Sequence, residues 1–89
     1  MEKPMLKIVF FARLREAVNL DEISFDLSNE QIKTVGDVIQ ILTERYTDFS
    51  EYVQHNNRLM IAVNQEIVDA NKEINSGDEL AFFPPVTGG

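Results

Sequence analysis

Residues 34–46, TVGDVIQILTERY, predict the main helix of the chain, and the strand patterns on either side of it decide the fold. Thr34 is a favoured residue for the position before a helix, and Asp37 three residues later completes a capping-box start. Apolar side chains then recur at helical spacing along one stripe: Val35, Val38, Ile39, Leu42 and Tyr46. We expect this stripe to lie across the apolar face of a sheet.

Two strands are predicted before this helix. Residues 5–11, MLKIVFF, are rich in branched and aromatic side chains, which predicts a strand buried on much of both faces. Residues 22–27, EISFDL, alternate apolar and polar side chains, which is typical of a half-buried antiparallel strand. Between them, residues 12–19 (ARLREAVN) predict one or two helical turns that end at Asn19.

The second half of the chain returns to strands after a short helical piece that holds Phe49, Tyr52 and Val53. The three predicted strands are residues 58–63 (RLMIAV), 66–68 (EIV) and 79–83 (ELAFF). Asn64 and Gln65 form the turn between the first two. The NSGD sequence of residues 75–78 forms the turn before the last, with Gly77 available for a positive φ.

The order of these elements is β-β-α-β-β-β, which predicts an α+β fold. We expect a β-grasp (ubiquitin-like) roll, with a mixed sheet of about five strands and one main helix packed across it. That roll requires the first and last strands to pair in parallel. The expected division is a domain over residues 1–83 and an extended functional tail over residues 84–89.

Composition excludes several classes of function. The 15 acidic and 8 basic residues give a net charge of -7, which disfavours a nucleic-acid or anionic-membrane partner. Without cysteine there is no disulfide, thiolate metal site or thiol nucleophile, and the one histidine, His55, lies in a polar stretch. We therefore expect no bound metal and no stably bound cofactor. The chain has no apolar run of about 20 residues and no signal-peptide pattern, so we expect a soluble, cytoplasmic protein.

The last six residues, PPVTGG, form a thin, uncharged ending. Pro84 and Pro85 stop the last strand because neither can donate to a sheet ladder, and they favour an extended exit. Gly88 and Gly89 bring the terminal carboxylate to a tip without side chains. Such a tip suits chemistry at the main-chain carboxylate inside a narrow channel, although glycine-rich ends also occur without function.

The ending also carries a family resemblance. Residues 77–89, GDELAFFPPVTGG, resemble the C-terminal signature of the molybdopterin synthase small subunits, which are ubiquitin-like sulfur carriers. LKIVFFARLRE (residues 6–16), TVGDVIQIL (residues 34–42) and IAVNQEIV (residues 61–68) resemble the same family in order, so the similarity spans nearly the whole chain.

The resemblance implies a sulfur-donating subunit without an active site of its own. It implies that an E1-like adenylyltransferase uses ATP to adenylate Gly89, and that a sulfur-donor enzyme converts the acyl adenylate to a thiocarboxylate. The sulfur then passes to cyclic pyranopterin monophosphate in the large, catalytic subunit of a heterotetramer. The residues expected to insert into that subunit are Pro84, Pro85, Val86, Thr87 and Gly88.

Candidate partner contacts are Phe11, Phe83 and Arg15. Adjacent residues of a strand face opposite sides of a sheet, so we expect Phe11 and Phe83 to face outward as an apolar patch for docking. The alternative is that both lie in the core with Phe10 and Phe82. Arg15, in the family-like FFAxxRE pattern, is a candidate ion-pair donor to a partner, or a solvated turn residue.

Three other functions remain open. The protein could be a modifier joined through Gly89 to lysines of other proteins, because the same activation chemistry serves both purposes. It could carry sulfur for thiamine synthesis or tRNA thiolation. It could also be a β-grasp binding module whose tail has no function.

Overall fold

A computed structural model describes residues 3–56 and 59–84 of the chain. The elements follow the predicted order, and both short helical pieces predicted beside the main helix are present as helices. They are β1 (Met5–Phe10), α1 (Ala12–Val18), β2 (Glu22–Asp26), α2 (Val35–Arg45), α3 (Thr47–Asn56), β3 (Met60–Val63), β4 (Glu66–Val68) and β5 (Glu79–Phe83).

The five strands form one sheet in the order β2-β1-β5-β3-β4. β1 and β5 pair in parallel at its centre, with Ile8 opposite Leu80 and Phe10 opposite Phe82. The other neighbouring strands pair antiparallel. The mixed sheet with a helix across it confirms the predicted β-grasp roll, including the parallel pairing of the first and last strands.

The core lies between the sheet and the helices, on what we call the inner face of the sheet. The rings of Phe10, Phe49 and Phe82 meet there, with centroids 5.7–6.1 Å apart, and all three are almost completely buried. Phe49 comes from α3, so this helix contributes to the core directly. The other fully buried large side chains are Leu6, Ile8, Leu14, Val35, Val38, Leu42 and Leu80.

The main helix begins as the sequence predicts. The Thr34 hydroxyl accepts from the Asp37 N–H at 3.3 Å, and the Asp37 carboxylate accepts from the Thr34 N–H at 3.0 Å. A second backbone bond, from the Lys33 N–H at 2.9 Å, helps to lower the pKa of Asp37. The next two N–H groups of the helix, of Val35 and Gly36, donate to carbonyls of the loop before β5, each at 2.9 Å. The helix start is therefore tied to a loop distant in sequence.

The turns before β4 and β5 also form as predicted. Asn64 and Gln65 both have positive φ, 51° and 71°, and Gly77 has a φ of 89°. The Asn64 side chain joins the two turns, since its amide donates to Asp78 at 3.0 Å and its oxygen accepts from the Glu79 N–H at 3.0 Å.

Three expectations need correction. β1 ends at Phe10 rather than at residue 11, because Ala12 has a φ of 54° and turns the chain into α1. β1 is also buried on one face only, since Lys7 on its other face is exposed. The short helical piece around Phe49 is a ten-residue helix, α3. Phe49, in the first turn of α3, is buried against Phe10 and Phe82, and these long-range contacts are not visible in the local pattern.

We predict that Thr34→Ala lowers the free energy of unfolding by about 1 kcal/mol, because it removes the acceptor for an N–H at the helix start. The check is the urea unfolding midpoint followed by circular dichroism. Thr43→Ala is the matched control. The Thr43 hydroxyl donates to the Gln40 carbonyl within the same helix and caps no N–H group, so its removal should change the free energy of unfolding little. Equal effects of the two substitutions would contradict the capping role.

Candidate functional site

The face of the sheet turned away from the core, here called the outer face, is organised in rows across the strands. One row consists of small or branched side chains: Val9, Ala81, Ala62 and Ile67 stand opposite one another on β1, β5, β3 and β4. The row beside it holds the larger side chains of Phe83 and Met60, which also face each other.

Phe11 completes the second row from the turn after β1. Its ring stacks on that of Phe83, with centroids 4.9 Å apart and planes at 7°. Phe11, Met60 and Ile67 are the exposed large apolar side chains of the described residues, at 40%, 36% and 61% of their full accessibility. We call Phe11, Met60, Ile67 and Phe83 the apolar patch. Exposed clusters of this kind typically mark partner surfaces.

The patch surrounds a shallow depression. Ala62 and Ala81 are only 3% and 6% accessible, although the helices pack on the opposite face of the sheet. Their short side chains lie below the larger ones of the patch. Beside them is a cleft of about 350 Å³ lined by Ala12, Met60, Ile67, Phe83 and Pro84. This part of the outer face is therefore apolar and open to solvent.

The other end of the outer face is charged. The Lys7 ammonium lies 3.5 Å from the Glu22 carboxylate and 3.6 Å from that of Glu79. All three side chains are substantially exposed, so these pairs contribute little to stability. The outer face therefore changes from apolar at the end of β5 to charged at its beginning.

The chain leaves the sheet at the apolar patch. The Phe11 N–H still donates to the Phe82 carbonyl at 3.1 Å, but Ala12 then turns away with its positive φ. Pro84 has no N–H with which to extend β5. Half-buried Pro84 lines the cleft. The base of the predicted tail therefore lies beside the patch.

The remaining tail predictions lie outside the described residues. They concern Pro85, Val86, Thr87, Gly88 and Gly89. The division of the chain at residues 83 and 84 likewise stays a prediction, although β5 does end at Phe83.

The structure separates the predicted contact residues. Phe11 and Phe83 lie together on the outer face, while Phe10 and Phe82 are in the core. Arg15 lies elsewhere: its guanidinium is 3.9 Å from the Asp21 carboxylate, just before β2. The roles of all three predicted contacts stay predictions.

Sequence reasoning missed Met60, Ile67 and Ala12 as members of this surface. The alternation of side chains along β3 and β4 could have indicated the first two. Met60 and Ala62 lie on the same face of β3, and Ile67 joins them on that face because it pairs with Ala62. That pairing depends on the register of the hairpin. Nothing local in the sequence indicates the positive φ of Ala12.

Other potential chemistry is sparse in the described part of the chain. It holds no group of three or more potential metal-ligating side chains. None of its helices is long and apolar enough to span a bilayer. Hydrogen bonds from Ser28 lower the pKa of Asp26. Backbone hydrogen bonds from Lys33 and Thr34 lower the pKa of Asp37. Both shifts therefore come from bonds that hold a turn or a helix start in place. His55 is exposed near the end of α3, with Nδ1 2.8 Å from the Glu51 carbonyl.

Comparison with known sequences gives a consistent family. The sequence model of the ThiS family matches residues 8–89. The chain is 33% identical to the molybdopterin synthase sulfur carrier subunit of Haemophilus influenzae, over 96% of this chain and 100% of that protein. It is 34% identical to the protein of the same name from Escherichia coli, with the same coverage.

Solved structures agree with the fold. SAMP1 from Haloferax volcanii superimposes with a TM-score of 0.77 at 27% identity, over 96% of this chain and 99% of that chain. A putative subunit 1 of molybdopterin converting factor from Pyrococcus furiosus has a TM-score of 0.73 at 30% identity, over 92% and 98%. A complex of subunits 1 and 2 of that factor from Helicobacter pylori contains the same fold, with a TM-score of 0.68 at 22% identity, over 96% and 99%.

We predict that the exposed phenylalanines contribute far less to stability than the buried ones. Phe82→Ala should lower the free energy of unfolding by about 3–5 kcal/mol because it leaves a cavity in the core. Phe11→Ala should cost about 1 kcal/mol, since it removes one partly exposed stacking contact. Urea unfolding of both variants measures the difference. Similar losses would show that the Phe11 stack belongs to the core.

Proposed function

The chain belongs to the ThiS family, and we propose that it is the sulfur carrier subunit of a molybdopterin synthase. The relatives with this name match it over nearly their full length. The structural observation that carries the proposal is that Pro84 lines the cleft beside the apolar patch. The ending PPVTGG starts from a surface suited to docking, so a partner that binds the patch also meets the tail.

The proposed chemistry takes place at the Gly89 carboxylate. A carboxylate oxygen attacks the α-phosphate of ATP, which releases pyrophosphate and forms an acyl adenylate. Hydrosulfide delivered by the sulfur-donor enzyme then attacks the acyl carbon and displaces AMP, which leaves a thiocarboxylate on Gly89. The thiocarboxylate sulfur attacks a carbon of cyclic pyranopterin monophosphate and displaces an oxygen substituent from it. Water then cleaves the resulting thioester, which leaves the sulfur on the pterin and restores the carboxylate of Gly89. Two carriers supply the two sulfurs of the dithiolene.

This scheme assigns the catalytic groups to other proteins. An E1-like adenylyltransferase binds ATP, a sulfur-donor enzyme supplies sulfur, and the large subunit binds the pterin. The carrier contributes position: a folded base, a docking surface and an unhindered terminal carbonyl. The lack of cysteine fits this role, because the sulfur is held by the chain terminus rather than by a side chain.

The reach of the tail limits where the large subunit binds. Five residues follow Pro84, and at about 3.3–3.6 Å per residue they span at most about 18 Å. A catalytic site that receives Gly89 therefore lies close to the apolar patch. We propose that Phe11 and Phe83 contact the large subunit there, and that the activating enzyme uses the same face at an earlier step. The family resemblance further implies a heterotetramer, with a carrier at each end of a central dimer of large subunits.

A protein-modifying role is the second candidate. It is favoured by the similarity to solved structures of SAMP1, which is described as a small archaeal modifier protein. The activation of Gly89 is common to both functions. The acceptor, a pterin or a lysine amine, distinguishes them.

The test of the carrier function is intact mass after incubation with ATP, a matched E1-like enzyme and a sulfur source. We expect an increase equal to the exchange of one oxygen for one sulfur, mapped to Gly89. Addition of the large subunit and the pterin precursor should reverse it and yield molybdopterin. An activating enzyme that is competent on another carrier but leaves this mass unchanged would contradict the proposal. A mass change followed by attachment to protein lysines, without molybdopterin, would favour the modifier.

We further predict that one alanine added after Gly89 abolishes sulfur transfer while leaving the fold intact, because it replaces the reacting terminus. Molybdopterin formation in the reconstituted system measures the loss, and circular dichroism measures the fold. The matched control has the same alanine added before Met1 and should retain activity. Full activity of the C-terminally extended protein would refute the assignment of Gly89.

A further inference from the structure

The apolar patch contains a sulfur atom that the proposed function has not used. Met60 stands opposite Phe83 where β3 pairs with β5, and it lines the cleft together with Ile67 and Pro84. The residue is 36% accessible, so a small reagent in solution can approach its side chain. The thioether of Met60 is therefore an exposed reactive group on the proposed docking surface.

The other methionines have different surroundings. The chain has three in total. Met5 is half-buried at the start of β1, where it stands opposite Asp26 at the charged end of the outer face. Met1 lies outside the described residues. Among the methionines that the structure describes, Met60 is thus the one that belongs to the apolar patch.

A methionine thioether is readily oxidised by a peroxide. The sulfur lone pair forms a bond to one oxygen of hydrogen peroxide, the O–O bond breaks, and the other oxygen leaves as water. The sulfur loses two electrons to the peroxide and becomes a sulfoxide. Cysteine, which mild peroxide also oxidises, does not occur in the chain. Oxidation of the carrier by a mild peroxide therefore falls on its methionines.

A sulfoxide at residue 60 changes the patch from apolar to polar at one point. The described residues that line the cleft with Met60 are Ala12, Ile67, Phe83 and Pro84, and none of their side chains carries a hydrogen-bond donor. In the free carrier, water bonds to the sulfoxide oxygen. A partner that covers the patch removes this water, and burial of a polar group without a replacement bond is unfavourable.

We propose that Met60 is an oxidation site of the free carrier, and that its conversion to the sulfoxide by a peroxide weakens docking of the apolar patch on the large subunit. This inference rests on the proposed function. Docking covers the side chain, so the bound carrier resists the oxidant. Methionine sulfoxide reductases restore the thioether, which makes the modification reversible. Peroxide thereby lowers the supply of sulfur to the large subunit while the carrier stays folded.

The experiment treats the purified carrier with hydrogen peroxide, removes the peroxide with catalase, and titrates the carrier with untreated large subunit in a calorimeter. Peptide mass spectrometry should place one added oxygen on Met60. The oxidised carrier should bind at least about tenfold more weakly than its untreated form, because a polar group is buried without a partner. Its thermal unfolding should change little, since Met60 lies outside the core.

Two variants serve as controls, each compared with its own untreated form. Met60→Leu keeps an apolar side chain of similar volume but has no sulfur, so its affinity should be the same before and after peroxide. Met5→Leu retains the proposed site and should lose affinity on oxidation as wild type does. Incubation of the oxidised wild type with the reductases for both sulfoxide epimers should restore its binding.

A second readout tests whether docking covers the site. An excess of large subunit should slow the oxidation of Met60 relative to that of Met5 in the same sample, because susceptibility follows exposure. An unchanged ratio would overturn the inference. So would binding within about twofold of the untreated form after complete oxidation of Met60, or an equal loss in treated Met60→Leu, and each result leaves the carrier function intact. If the untreated wild type does not bind the large subunit, both the proposed function and this inference fail.

Discussion

The parallel pairing of β1 with β5 is the constraint on which the rest of the structure depends. It places Lys7 beside Glu79 and Phe10 beside Phe82, residues from opposite ends of the chain. Without it, the two terminal strands would not form the centre of the sheet. The inner face would then lack the Phe10 and Phe82 rings that pack with Phe49 from α3. The core and the outer surface are both built on this ladder.

Because side chains alternate between the two faces of the sheet, the β1–β5 pair contributes to both the core and the outer face. Phe10 and Phe82 point inward and close the core, while Phe83, one residue further, points outward and stacks on Phe11. Stability and recognition are thereby assigned to adjacent residues on opposite faces of one sheet. Changes on the outer face should cost the fold little, because they leave the inner packing in place, and they are therefore suited to testing the proposed docking role.

The end of the ladder determines where the tail begins. Ala12 turns the chain away on one side, and Pro84 cannot donate a hydrogen bond on the other. Both events occur at the apolar patch, so the proposed reacting terminus is joined to the proposed docking surface by only five further residues. In the proposed function, this proximity lets a partner that docks on the patch receive the terminus as well.

Several features follow from the sequence alone because their causes are local. The capping box of Thr34 and Asp37, the apolar stripe of α2 and the Gly77 turn each depend on residues a few positions apart. The absence of charged and large side chains from residues 84–89 can be read directly from the sequence. These signals, together with the order of the strands, were sufficient to predict the β-grasp roll and to point to Gly89.

Other features were decided only by the tertiary structure. The positive φ of Ala12 and the burial of Ala62 and Ala81 on the outer face depend on how distant segments pair and pack. The membership of Met60 and Ile67 in the patch depends on hairpin register in the same way. Local preferences in a sequence determine how each segment folds. The surface that the segments share is set by long-range contacts, whose free energy is gained only when the whole chain is assembled.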